Sequence, residues 1–169
     1  GYAAAVVIGA VIGVVVSRWR LMRVATGSLI TGLQTMPSIA WFPLAILLFK
    51  LSEASMLFVV VIGAAPSVAT GILGGIDHVP ALLDRVGVVM GARGIARFRH
   101  VMLPAAMPEI LAGLKQGWAF AWRSLMAGEL IVTVAGQPSI GTELHVARDL
   151  ADAPGLIATM LVILFIGIA

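Results

Sequence analysis

The chain has 169 residues, of which 60% are apolar or aromatic and only 11% are charged, against roughly 25% charged in a soluble domain. With 19 glycines spread through apolar runs and a mean hydropathy of +1.07, it cannot be a soluble globular domain, a disordered segment or a coiled coil, and lipid is its natural solvent. The net charge of +3 does not imply nucleic acid, because membrane proteins gather Lys and Arg in cytoplasmic connections, and the absence of cysteine excludes disulfides, thiolate metal sites and a thiol nucleophile.

Hydropathy predicts apolar segments at about 2–16, 27–49, 56–76, 109–133 and 154–169. The runs are continuous rather than alternating, so the expected fold is all-α, a polytopic membrane protein with about five transmembrane helices. The first and last segments fall short of the ~20 residues a spanning helix needs. Because the sequence opens and stops inside apolar runs, residues 1–169 read as a fragment of a single transmembrane domain with an N-terminal helix missing. The opening run is not read as a signal peptide, since no basic region precedes it and Arg18, Arg20 and Arg23 follow.

In the second segment Gln34 and Pro37 stand out, a polar group and a backbone break that can line a cavity, although a proline kink alone is common in membrane helices. The spacings Gly9 to Gly13, Gly71 to Gly75 and Gly113 to Gly117 fit small-xxx-small helix packing. In a chain this rich in glycine, most such spacings are expected to be incidental.

The connection at 77–108 exceeds the usual 2–8 residues between helices and should have structure of its own. It reads as two short helical pieces broken at Gly91 and Gly94, with Pro104 and Pro108 ending the loop and starting the next span. The basic piece would present Arg93, Arg97, Arg99 and His100 to the cytosol on a rigid stalk; the plainer reading is a basic loop attracted to anionic lipid headgroups.

Lys115, Arg123 and Glu129 lie inside the fourth segment, where a charge costs about 2.5–3.5 kcal/mol at the helix centre. Lys115, near the cytoplasmic end, can snorkel. At ~100° per residue Lys115, Trp118, Trp122 and Glu129 share one face with Arg123 at its edge. Two readings stay open: a polar translocation path, with Gln34 of the second segment as a further member, that would suit an anion, or a buried structural pairing with a neighbouring helix. Glu129 is about 240° around the helix from Arg123, so pairing within the span is awkward.

Chemistry of other kinds is missing from the sequence. Lys50 is followed by Leu51 and Lys115 by Gln116, so there is no P-loop; His78, His100 and His145 are too far apart for a helical zinc motif, and no serine sits in a nucleophile elbow. Neither a catalytic nor a metal site is expected, nor a cofactor in this chain.

The run Gly91-Ala92, the basic and aromatic stretch through Phe98 and Arg99, then Leu103-Pro104 and Pro108 resembles the cytoplasmic loop of ABC importer permeases. "LQTMPSIAWFPLAILLFKLSEAS" and "GLKQGWAFAWRSLMAGELI" are similar to spans of the branch that imports nitrate, sulfonates or taurine. The resemblance implies a permease subunit working by alternating access in the bacterial cytoplasmic (inner) membrane. Its partners would be a second permease copy, two ATP-binding cassette subunits that hold ATP and Mg, an extracytoplasmic solute-binding protein and membrane lipid, with no nucleic acid. It also implies coupling to the ATPase through Asp84, Arg85, Gly91, Ala92, Arg93, Arg97, Phe98, Leu103 and Pro104. The family's Glu-Ala-Ala triplet is replaced here by Arg85, Val86 and Gly87, with Asp84 one position early. The rival readings are a membrane scaffold that recruits a cytosolic partner through the basic loop, and an ion-coupled carrier, which would need inverted repeats that the sequence does not show.

Seven arginines fall in the first and third connections, against Lys50 and Arg148 in the second and fourth, which puts the first and third in the cytosol. A membrane-impermeant thiol probe should therefore label a cysteine at Ser52 or Thr142 from outside, but not one at Ser17 or Ala96; the reverse pattern would invert this orientation.

Overall fold

The computed structural model describes the backbone of residues 1–17, 20–131 and 139–168, and the side chains of these except residues 20–26 and 84. Arg18, the side chains of Arg20, Arg23 and Asp84, and the end of the fourth apolar segment lie outside the described residues. In chain order the elements are α1 (Tyr2–Ser17), α2 (Arg20–Thr35), a 3-10 turn (Ser38–Trp41), α3 (Phe42–Phe49), α4 (Glu53–Asp77) and α5 (Ala81–Val89). Then follow α6 (Gly94–Arg97), a π turn (Phe98–Met102), α7 (Leu103–Ile131), α8 (Ile140–Asp149) and α9 (Ala153–Ile168). There is no strand among the described residues.

Helix α4 is the centre, with α7 on one side and α1 on the other. Lipid tails are as apolar as leucine, so helix association in a bilayer depends on dispersion contacts between closely approaching backbones rather than on hydrophobic burial. The buried face of α7 is made only of small residues: Ala106, Gly113, Gly117, Ala121, Ser124 and Gly128. At its crossing with α4 a Cβ on Gly71 would lie 2.5 Å from the Gly113 Cα, and one on Gly75 would lie 2.9 Å from the Ala106 carbonyl oxygen. On the opposite side a Cβ on Gly9 would come within 2.6 Å of the Ala65 carbonyl oxygen, and one on Gly13 within 3.0 Å of that of Ala69. All three glycine spacings are thus contact faces, against the expectation that most would be incidental. What spacing alone does not reveal is that Gly71 meets Gly113.

Among the described residues, α4 is the one helix both long and apolar enough to cross a membrane by itself. The second apolar segment is not a continuous helix: Gly27–Thr35 and Ser38–Phe49 pass the same test together but are bent by 98°. Pro37 accounts for the break, since it lacks an N–H and pushes the residue before it out of helical geometry. Helices α1 and α9 are shorter apolar helices, so of the expected five spans length and composition show one clear span and one broken pair among the described residues.

The 77–108 connection departs from expectation in one respect. It does break at Gly91 and Gly94, which hold φ of 86° and 54°, a region closed to most side chains. But there is no proline stop. From Gly94 the chain stays helical through the π turn and α7 to Ile131, a rod of about 55 Å at 1.5 Å per residue. Pro104 would strip one hydrogen bond from a regular helix; the wider turn before it, in which the Leu103 N–H bonds the Phe98 carbonyl, takes up the mismatch.

Gly71→Val should cost more than the roughly 1–3 kcal/mol of ordinary overpacking, because its obstacle is backbone and not a movable side chain. Gly27→Ala, with nothing within 4 Å of its new methyl, should be neutral or slightly stabilising. Thermal unfolding of the two variants in detergent checks this, and an unchanged midpoint for Gly71→Val would contradict the crossing.

Candidate functional site

The bend at Pro37 leaves the end of α2 and the start of the 3-10 turn without a helical neighbour, and side chains from α4 and α7 fill that role. Gln34 donates its amide to Thr70 Oγ1 at 3.0 Å and to Ser67 Oγ at 3.4 Å. The buried Ser124 of α7 donates to Ser38 Oγ at 2.9 Å. Gly63 makes room for that pair: a Cβ there would lie 2.8 Å from Ser124 Oγ. In an apolar solvent each of these polar groups needs a partner, so the bonds fix the geometry of the break.

The break opens into a cavity of about 390 Å³, lined by residues 34–39 on one side and by Phe120, Arg123 and Ala127 of α7 on the other. Arg123 spends its Nε–H on the Ala119 carbonyl at 3.2 Å, and its guanidinium lies 5.0 Å from the centroid of the Phe120 ring. No carboxylate among the described residues pairs with it. The structure therefore brings Gln34 and Arg123 together, and adds Ser38 and Phe120, which the sequence reading did not single out. A hydroxyl directly after Pro37 is the signal that was available.

The other members of the sequence stripe go elsewhere. Trp118 meets Tyr2 of α1 edge-on at 5.4 Å and stacks on Trp122 at 6.2 Å, while Trp122 donates its indole N–H to the Ile163 carbonyl of α9 at 3.2 Å. The Tyr2 hydroxyl donates to the Leu114 carbonyl at 2.8 Å. These aromatics fasten α1 and α9 to α7 around an apolar cavity of about 210 Å³. Lys115 is exposed and lines neither cavity. Glu129 accepts the Gly141 N–H at 2.8 Å, at the start of α8, where the Ser139 hydroxyl also accepts the Thr142 N–H at 3.2 Å. The carboxylate satisfies an orphan donor at a helix N-terminus, where negative charge is favoured.

Along the connection, Arg85, Gly91, Arg93, Arg99 and Pro104 are exposed and Ala92, Arg97 and Leu103 half-buried. Phe98 and Leu103 help line an apolar cavity of about 160 Å³ with Val14 of α1 and Ile72 of α4. One side of the basic segment therefore rests on the bundle while Arg93 and Arg99 stay open to solvent.

The family of binding-protein-dependent transport system inner membrane components matches residues 5–169. The chain belongs to that family. The chain is 30% identical over 168 residues, 99% of its own length and 62% of the relative's, to a protein of Methanocaldococcus jannaschii named as an ABC transporter permease. It is 29% identical over 136 residues to the nitrate import permease protein of Synechocystis sp., covering 80% of this chain and 50% of the relative. With the taurine transport system permease protein of Escherichia coli it shares 30% over 133 residues, 79% of this chain and 48% of the relative. The chain thus spans about half to three-fifths of the length of these curated relatives. The resemblance read from the loop and span motifs is borne out.

Glu129→Ala should lower the stability of the protein by about 1–2 kcal/mol, the usual worth of a helix N-terminal acceptor with a charge, and Glu129→Gln by less, because its amide oxygen can still accept. Thermal unfolding reads both; equal stability of all three proteins would deny the carboxylate its place on α8.

Proposed function

We propose that this chain is the membrane-spanning part of a permease subunit in an ATP-driven importer of a small anionic solute. Residues 1–169 form one transmembrane domain with five crossings, α2 and α3 together making one broken span, in a bacterial cytoplasmic membrane. Two permease copies associate with two ATP-binding cassette subunits, which hold ATP and Mg and carry out hydrolysis, and with an external solute-binding protein. The 77–108 connection is the cytoplasmic coupling element, through Asp84, Arg85, Gly91, Ala92, Arg93, Arg97, Phe98, Leu103 and Pro104. The names of the nitrate and taurine relatives support an anionic solute.

The observation that carries this reading is the unbroken helix from Gly94 to Ile131. It joins the exposed basic segment to the helix that bears Arg123, so a displacement imposed at one end reaches the cavity without a loop to absorb it. On the other side the two positive-φ glycines free the segment from α5, letting it tilt with α7 rather than with the preceding helix.

In vesicles holding the complete complex, solute uptake should require ATP and stop when the ATPase subunits are omitted; uptake that continues without them would indicate an ion-coupled carrier, and no uptake under any condition a scaffold. Cysteines at Arg93, Ile95 and Arg97 should cross-link to the ATPase. Gly91→Trp should insert normally but uncouple hydrolysis from uptake, and Gly91→Ala should do so in part, since strain at positive φ costs roughly 1–2 kcal/mol even for a methyl. Full transport by Gly91→Trp would count against the coupling role.

A further inference from the structure

We infer that the apolar cavity beneath the basic segment is a binding site for an anionic phospholipid of the cytoplasmic leaflet, with the first carbons of one acyl chain in the cavity and the phosphate at Arg99. The inference goes beyond the importer reading and does not need it, because lipid binding here depends on the shape, depth and charge of one corner of the bundle.

The cavity lies where three elements meet: Val14 of α1, Ile72 and Ile76 of α4, and the rod from Phe98 to Ile110. Every lining side chain is apolar, so a water would not find the polar partners it needs there. The volume of about 160 Å³ is close to the roughly 150 Å³ of an apolar cavity that stays dry and takes benzene, which is room for about six carbons. Val14 and Phe98 are each nearly half exposed, so the cavity is reached from outside the bundle. Val14 stands three residues before the end of α1 and Ile76 one residue before the end of α4. Both are the cytoplasmic ends by the arginine count. What surrounds the opening at that depth is the part of a phospholipid where the chain joins the headgroup.

Arg99 supplies the charge. It stands in the chain between two lining residues, Phe98 and Leu103, is exposed, and has no acid partner among the described residues. A guanidinium there can give a phosphate two parallel N–H bonds while the apolar wall holds the chain. Glu109, the acid on the same rod, lies beside Gly74, which does not line the cavity. A zwitterionic lipid brings the same chains and phosphate, but its own cation cancels the net charge, so Arg99 selects the anionic headgroup. The bound lipid bridges the rod to α1 and α4 and so steadies the basic segment against the bundle.

The test mixes the purified protein in detergent with equal amounts of dioleoyl phosphatidylglycerol and dioleoyl phosphatidylcholine and reads the retained lipid by native mass spectrometry. Phosphatidylglycerol should be retained about fivefold over phosphatidylcholine, the share of one arginine near anionic lipid. Arg99→Gln should bring the two lipids to parity. Val14→Phe, whose ring would enter the cavity from a half-exposed position, should lower retention of both lipids about threefold or more, and so should Ile110→Phe from the rod. Lys50→Gln, at the opposite membrane face, should change neither. Glycerol 3-phosphate, which carries the charge without the chains, should not displace the lipid. Parity in the parent protein, a preference that persists in Arg99→Gln, or full retention in both Phe variants would overturn the site. Displacement by glycerol 3-phosphate would do so too, by making Arg99 a plain phosphate contact. If the Phe variants do not fold, the parent ranking and Arg99→Gln decide. Neither ATP nor solute enters the assay, so lipid selection without ATP-driven uptake would sink the importer reading and leave the site standing, and uptake without lipid selection would do the reverse.

Discussion

The contact between Gly71 and Gly113 sets the geometry on which the other features depend. Two long helices whose backbones meet at a pair of glycines have little freedom to slide, since a shift of one residue would drive a larger side chain into the neighbouring main chain. The register so fixed sets Ser124 of α7 against Gly63 of α4, and from there Ser124 reaches Ser38 at the break. Gln34 meets Ser67 and Thr70 on the same helix α4. The cavity is a consequence of where two small-residue faces lock, and of a proline that prevents the third helix from closing over them.

The bonds that hold the break differ in kind from those that hold the bundle. The α1–α4–α7 packing sets small residues of one helix close against the main chain of the next. The break is held by side-chain hydrogen bonds from Gln34 and Ser38, each worth about 1 kcal/mol net in a membrane protein. Such bonds can be exchanged at modest cost, whereas the glycine seam cannot be opened without losing the fold. In the proposed cycle this divides the chain into a rigid part that carries displacement and a broken span that answers it.

Much of this was legible in the sequence, and the failures have a common cause. The helical runs, the glycine breaks at Gly91 and Gly94 and the family motif all depend on neighbours within a few residues, and these readings stand. Helical periodicity put Lys115, Trp118, Trp122 and Glu129 on one stripe, but it could not say what each would meet. Glu129 finds Gly141 across a turn, Trp122 finds Ile163 of α9, and Trp118 finds Tyr2 of α1. The expectation of a proline stop at Pro104 failed because a π turn accommodates a proline within a continuing helix, and no sequence rule signals that turn. The glycine spacings were visible, yet their pairing across helices is a tertiary fact. Pro37 announced a break, but not its angle or the serines that would stabilise it.

The central claim is that residues 94–131 behave as one rod linking the basic segment to the cavity. Distances between spin labels in the reconstituted complex, with and without a nonhydrolysable ATP analogue, test it most directly. Labels at the exposed Ile95 and Leu130 should stay about 50 Å apart in both states, at 1.5 Å per residue, while the distance from Ile95 to Leu29 on α2 should change. A change in the Ile95–Leu130 distance on adding the analogue would show that the π turn is a hinge and would contradict the account.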